Sequence, residues 1–262
     1  NSYQEIIEEQ IEEFASSTKV IYTFSVEIET KLTAKDTKVT EESFSIFISG
    51  IDTYGKISSV SRGDVNMVAT VNPNTHQVLL TSIPRDYYVT LNGIGQKDKL
   101  THAGIYGIDT TIKTVEDLLD MEINYYVKVN FTSLIDLVNA LGGVDVYSDY
   151  TFTTTENYST SKRYRFTKGY NHVNGEEALA FARERKAFAA GDNQRVKNQQ
   201  ALLTAIIKKA CSETIITKYS DILSSLEGEF DTNMGSDKIT NLIKMQIDEM
   251  PSWTISSNSL TG

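Results

Sequence analysis

The eight residues Phe44–Ile51 (FSIFISGI) constrain this chain more than any other segment. They read as a nearly continuous apolar strand, the kind buried on both faces of a sheet. Such a strand needs layers above and below it, and the sequence that follows supplies them. Asp64–Val71 reads as a second strand, Asn72-Pro73-Asn74 as a turn, and Gln77–Ile83 as a third strand. Asp109–Asp120 reads as a helix capped by Asp109, and Tyr125–Val129 as a strand. Phe131–Leu141 is a helix stopped by Gly142-Gly143, before the strand Val144–Tyr147. Residues 148–170 form a Thr- and Tyr-rich excursion with an outer hairpin. Asn174–Arg183 is helical, with Glu177 completing a capping box. Asp192–Cys211 is a long helix, and two more follow around Ile215–Leu226 and Lys238–Met250. Strands interleaved with helices predict an α/β fold: a three-layer α/β/α sandwich on a mixed central sheet.

The first 42 residues differ from the rest. Residues 1–17 carry Tyr3, Ile6, Ile7, Ile11 and Phe14 on one helical stripe, and Val20–Ile28 alternates as a strand. Thr30–Glu42 is polar and reads as a linker or a long hairpin tip. A helix and one strand cannot close a core, so 1–42 is expected to be a small α+β accessory segment and linker, and 43–262 the main domain.

A formal charge of −10 argues against nucleic-acid binding, because no cation excess is available to displace phosphate counterions. A lone cysteine, Cys211, excludes an intrachain disulfide and a multi-Cys zinc site. Apolar runs such as Ala205–Ile207 fall far short of the ~20 residues that span a bilayer. With no signal segment and Asn1 at its start, the chain reads as a soluble piece of a longer protein. Its seven arginines gather in a few motifs, which suggests bidentate recognition of phosphate or carboxylate.

Three constellations could carry chemistry. In Ser49-Gly50-Ile51-Asp52 and Ser61-Arg62-Gly63-Asp64, an antiparallel connection would bring Asp52 and Asp64 to one sheet edge beside Arg62. Two close carboxylates call for a cation, and hard oxygen ligands suit Mg²⁺ or Mn²⁺. The alternative is a turn cap and a surface Arg–Asp pair. Ser82-Ile83-Pro84-Arg85-Asp86 follows the third strand at the end where ligands of open α/β sheets bind; the alternative is an ordinary strand-to-turn junction. In Phe181-Ala182-Arg183-Glu184-Arg185-Lys186 and Gly191-Asp192-Asn193-Gln194-Arg195, Arg183 and Arg185 share a face only if the helix ends near Arg183. Arg195 and Gln199 share a face in the first turns of the next helix, where free N–H groups favour anions. Asp192 reads as an N-cap or a chemical group, and a solvated salt-bridge network is the alternative for the remaining charges.

Taken in order, SGID…SRGD, SIPRD, KLTHAGIYG and FARERK…GDNQR…NQQ resemble the LytR-CpsA-Psr (LCP) family, and within it the capsule-attaching branch of Gram-positive cocci. The resemblance runs from about Phe44 to at least Gln200. It implies that 43–262 is an LCP catalytic domain, and that the segment before it belongs to an accessory domain. It also implies a phosphotransferase that attaches a polyprenyl-pyrophosphate-linked glycopolymer, here capsular polysaccharide, to peptidoglycan. The setting would be the extracellular face of the cell membrane, with the membrane anchor outside this chain. Carried over by motif, Asp52 and Asp64 hold Mg²⁺ or Mn²⁺. Arg62, Arg85, Arg183, Arg185 and Arg195 grip the pyrophosphate, and Gln199 bonds a phosphate oxygen. The catalytic set is then Asp52, Asp64, Arg62 and Arg85, with Lys99 in a matching motif. Gly104-Ile105-Tyr106-Gly107 and Lys197 depart from many relatives and touch the rim rather than the metal pair.

The chemistry implied is charge stabilisation on a leaving phosphate by arginines and a divalent ion. None of His76, His102 and His172 fits well as a base; Asp64 or Asp192 would accept the acceptor hydroxyl's proton. The helices Phe131–Leu141 and Ala201–Ile207 would line a lipid cleft or serve as ordinary core. Two other readings stand beside transfer: a polyprenyl-pyrophosphate phosphatase that transfers to water, and a non-catalytic lipid-pyrophosphate-binding regulatory module. A pure binder needs the arginines but not both aspartates.

Overall fold

The computed structural model describes residues 37–57, 61–155, 162–216 and 218–260. The helix and strand expected within residues 1–28 lie outside them. In chain order the strands are β1 (Phe44–Ile51), β2 (Gly63–Asn72), β3 (Gln77–Ser82), β4 (Tyr88–Thr90), β5 (Lys97–Lys99) and β6 (Tyr125–Val129). Then come β7 (Val144–Ser148), β8 (Phe152–Thr153), β9 (Arg165–Phe166), β10 (Gly169–Val173), β11 (Asp231–Thr232) and β12 (Thr254–Ser259). The described residues fall into two compact units. One holds the chain up to Asp52, Lys56–Val129 and Asp231 onward; the other holds Thr53–Gly55 and Asn130–Phe230.

The first unit is built on a six-stranded sheet in the order β11-β6-β1-β2-β3-β12. It is mixed: β1 runs antiparallel to β2 and parallel to β6, and β12 runs parallel to β3. This is the α/β fold that the strand–helix alternation predicts. No residue of β1 is exposed, as its apolar run requires. Phe47 and Val68 are cross-strand partners at the centre of a cluster that Leu100, Ala103, Ile112, Val115 and Leu119 complete from the helices. The helix Ile108–Leu119 begins after Gly107, not at a capping Asp109, which lies in the first turn and makes no cap bond. A glycine with φ 110° and ψ 169° turns the chain there without steric penalty, so no side-chain cap is needed. The end of the expected linker is not free. Val39 is buried, Asn124 Nδ2 donates to Thr37 Oγ1 at 3.4 Å, and Lys238 Nζ donates to Thr37 O at 3.0 Å.

The second unit packs Phe131–Ala140, Gly175–Arg183 and Asp192–Ala210 with the β7–β10 ribbon around Val138, Val144, Val146, Phe181 and Leu202. Both predicted helix starts are well capped. Asn130 and Ser133 form one capping box, and Asn174 and Glu177 the other. The 148–170 excursion contains its hairpin, β8 against β9, but the hairpin is not merely outer. Phe152 and Phe166 stack at 5.1 Å and both are buried in this core. Asp192 does not cap its helix: Gly191 does, at φ 52° and ψ −115°, which frees the Asp192 carboxylate for Arg195. The stripe offered as a lipid lining, Val138, Leu141, Leu202 and Ala205, is spent on this core.

Candidate active site

In the first unit the SGID and SRGD motifs meet at adjoining strand ends. The β1–β2 register jumps from Gly50↔Val65 to Ile51↔Gly63, leaving Asp64 as the extra residue of a bulge. A bulge re-aims its side chain, and here the Asp64 carboxylate accepts from Arg85 Nη1 at 2.5 Å. Asp52 follows the last residue of β1 and is exposed, as is Arg62. SIPRD is tied to the KLTHAG segment through the backbone: Thr101 N–H donates to Arg85 O at 2.9 Å, and Leu100 N–H to Tyr87 O at 2.8 Å. Side chains continue the link, with Asp86 Oδ1 receiving Lys99 Nζ at 2.6 Å. Lys99 therefore belongs to the same charged corner as Arg85, through Asp86.

Gly104 packs directly against the SRGD segment. A Cβ there would stand 2.1 Å from Ser61 O, and Ser61 N–H donates to Gly104 O at 3.2 Å. Only glycine lets this turn lie against the SRGD segment. Beside it, Asn66 Oδ1, Ser61 Oγ and Thr101 Oγ1 are buried with no hydrogen-bond partner. Unpartnered buried oxygens are costly unless a ligand or water completes them. The oxygen-only donor set fits Mg²⁺ or Mn²⁺. No group of three or more His, Cys, Asp or Glu able to hold a metal occurs among the described residues. A Mg²⁺ site commonly rests on one or two carboxylates, with substrate phosphates and water filling the rest.

The histidines are engaged elsewhere, each with an acidic partner: His76 with Glu249, His102 with Asp98 and His172 with Asp145. The hydrogen bond from His102, then that from Lys99 N–H, holds the Asp98 carboxyl below the usual carboxylate range.

In the second unit the Gly175–Arg183 helix ends at Arg183, and Glu184 is extended at φ −66° and ψ 131°. Helical geometry thus stops between Arg183 and Arg185. The reason is Glu184 itself, a residue to which the motif reading gave no role. It is 5% exposed, and its carboxylate accepts from Thr155 N–H at 2.6 Å and from Arg185 and Ala187 N–H at 3.0 Å each. It gathers the orphan amides that follow the helix. The R-E-R alternation in an extended segment was the available signal, since it sends the middle residue opposite to its neighbours.

Arg195 is 12% exposed in its side chain and pairs with Asp192 at 3.0 Å. Gln199 Nε2 points to Ala182 O at 3.5 Å, a long contact that leaves it near the end of the preceding helix. Asn198 Nδ2 donates to Phe181 O at 3.1 Å and Gln194 Nε2 to Asn198 Oδ1 at 3.1 Å, so a buried amide chain locks the two helices together. Arg185 is exposed. Arg183 places its guanidinium carbon 4.1 Å from the centre of the Phe131 ring. Neither Phe131 nor its neighbour Tyr54 stood out as a site residue, because aromatic residues at such spacings usually read as core.

Among the described residues no helix is long and apolar enough to cross a membrane. Over residues 11–262 the chain matches the model of the LytR_cpsA_psr family. It is 38% identical over 204 residues to a Bacillus anthracis polyisoprenyl-teichoic acid–peptidoglycan teichoic acid transferase, TagU, covering 78% of this chain and 64% of that protein. The chain thus spans less than two thirds of that relative's length. B. subtilis TagV is similar in structure with a TM-score of 0.72 at 34% identity, over 85% of each chain. TagT bound to LI-WTA is similar with a TM-score of 0.66 at 33% identity, over 88% of this chain and 83% of that one. The ordered motifs, the mixed central sheet and these matches along most of the chain make it a member of the LytR_cpsA_psr family.

Proposed function

We propose that the protein transfers a glycopolymer from a polyprenyl pyrophosphate carrier to a hydroxyl of peptidoglycan, at the outer face of the cell membrane. The observation that carries this reading is the Arg85–Asp64 pair, which joins the SRGD and SIPRD motifs, together with the unpartnered buried oxygens of Ser61, Asn66 and Thr101 in the same stretches of chain. The names of the relatives support the reaction class, and TagT bound to LI-WTA supports the ligand class. From the motif resemblance, Arg62, Arg85, Arg183, Arg185 and Arg195 are read as ligands of the pyrophosphate, with Gln199 as a further donor. Asp52 and Asp64 would hold Mg²⁺ or Mn²⁺, which adds positive charge where the leaving phosphate becomes more negative. The sugar hydroxyl attacks the phosphorus that bears the polymer. A phosphodiester to peptidoglycan forms as the hydroxyl's proton passes to a carboxylate, Asp64 or Asp192; the bond between the two phosphates breaks, and polyprenyl phosphate departs. Arginine serves here because it stays charged throughout.

The polymer is read as capsular polysaccharide from the motif resemblance, whereas the relatives are named for teichoic acid. The test therefore carries both donors. Each labelled lipid-linked polymer is incubated with peptidoglycan, with and without Mg²⁺. Label entering peptidoglycan only with Mg²⁺ supports transfer, and the preferred donor names the polymer. Label released to water identifies a pyrophosphatase. Label that stays on the lipid under all conditions overturns the enzymatic reading.

A further inference from the structure

We propose that Phe131 is a positioning residue, a fixed aromatic mount that aims the Arg183 guanidinium at the anionic head group of the substrate. This rests on the reading of Arg183 as a pyrophosphate ligand. Arg183 is the last residue of its helix, so the local backbone does little to restrain its long side chain. The ring 4.1 Å from its guanidinium carbon supplies a restraint. A cation over a ring is held through its flat face, whereas the N–H donors lie in the guanidinium plane. The mount therefore does not compete with phosphate oxygens for those donors. Lysine, a point charge on a flexible stem, would gain less from it.

The ring is itself unusually well held. Phe131 is the first residue of its helix, inside the Asn130–Ser133 capping box, and is 9% exposed. Residues Thr53–Gly55 then strap it from outside. Phe131 N–H donates to Thr53 O at 3.0 Å, Asn130 Nδ2 to Gly55 O at 2.6 Å, and Gly55 N–H to Thr132 Oγ1 at 2.9 Å. The strap lays the Tyr54 ring edgewise against Phe131, with centroids 5.0 Å apart and planes at 68°. Core packing alone would not require this: Tyr54 is 49% exposed, and Phe131 is absent from the buried cluster of its unit. A rigid ring and a stacked guanidinium mean that less side-chain freedom is lost when the anion binds.

The experiment is a double-mutant cycle read by equilibrium binding of a short-chain polyprenyl pyrophosphate at fixed ionic strength, with Tm recorded for every protein. The proteins are wild type, Phe131→Leu, Arg183→Ala, the double variant and Phe131→Tyr. Phe131→Leu is expected to weaken binding roughly three- to tenfold, and Phe131→Tyr less than about twofold. In the Arg183→Ala background, Phe131→Leu should change affinity no further. Should Phe131→Leu unfold, Phe131→Met takes its place, keeping bulk without a ring. Equal losses from Phe131→Leu with and without Arg183, or a full loss in Phe131→Tyr, would overturn the mount while leaving the functional reading intact. Unchanged binding in Arg183→Ala would remove Arg183 as a ligand and the proposal with it.

Discussion

Arg85 and Asp64, drawn from two motifs that lie 21 residues apart, form one ion pair at 2.5 Å with side chains 26% and 21% exposed. The arginine thus reaches the bulge at the head of β2. The pair is partly exposed and joins two motifs of the proposed site, so removing either charge should act on the site more than on the fold. With Mg²⁺ present, Asp64→Ala should lose turnover. Its unfolding midpoint should fall by no more than the equivalent of about 1–2 kcal/mol, since the pair is partly solvated. Full transfer activity in Asp64→Ala would remove its metal role.

Arginines in the paired motifs should matter more than those of the excursion. Arg85→Ala and Arg195→Ala should each weaken polyprenyl pyrophosphate binding by about one to two decades. Arg163→Ala, outside those motifs, should stay within about threefold. A binding series at one ionic strength decides it, and an equal loss for Arg163→Ala would misplace the site.

Glu184 should prove structural in a measurable way. Removing its carboxylate leaves the amides of Thr155, Arg185 and Ala187 without their acceptor. Glu184→Ala should therefore destabilise by about 2–3 kcal/mol in urea denaturation. Glu184→Gln should also destabilise, because its amide can turn only one acceptor oxygen towards these donors. A midpoint unchanged in both variants would refute the role assigned to this carboxylate.

Alkaline stability should report on Tyr126. Burial first, and then the hydrogen bond to Asp231 at 2.9 Å, push its phenol up to about 12 from an ordinary 10. Between these values the native chain keeps a proton that the unfolded chain has lost. Stability from this group is therefore fully present below pH 10 and is lost as pH rises towards 12. Tyr164, also raised to about 12, acts in the same direction. Urea titrations across this window should show a shallower decline for Tyr126→Phe than for wild type. An identical slope would show that Tyr126 does not titrate there differently in the two states.

Individual strands and helices were readable where the local pattern is strong. FSIFISGI forms β1 with the predicted bounds, Tyr125–Val129 forms β6, and the predicted Asn174–Glu177 capping box closes. β12 (Thr254–Ser259), by contrast, has too few apolar residues to stand out as a strand. It exists because β3 offers it a parallel edge. The expected caps at Asp109 and Asp192 failed for a single reason: a preceding glycine with positive φ started each helix, so the carboxylate was not needed there.

For the proposed site, the sequence by itself determined which residue types were present and which motifs they occupied. Only the tertiary structure decided what holds them. The Asp64 bulge depends on a register between strands, and the Gly104 turn on a backbone 43 residues away. The end of the helix at Arg183 depends on amides gathered by a buried glutamate, and the guanidinium of Arg183 on a ring at the head of another helix. Such contacts leave no periodicity in the chain, because the distance that governs them is measured through space rather than along the backbone.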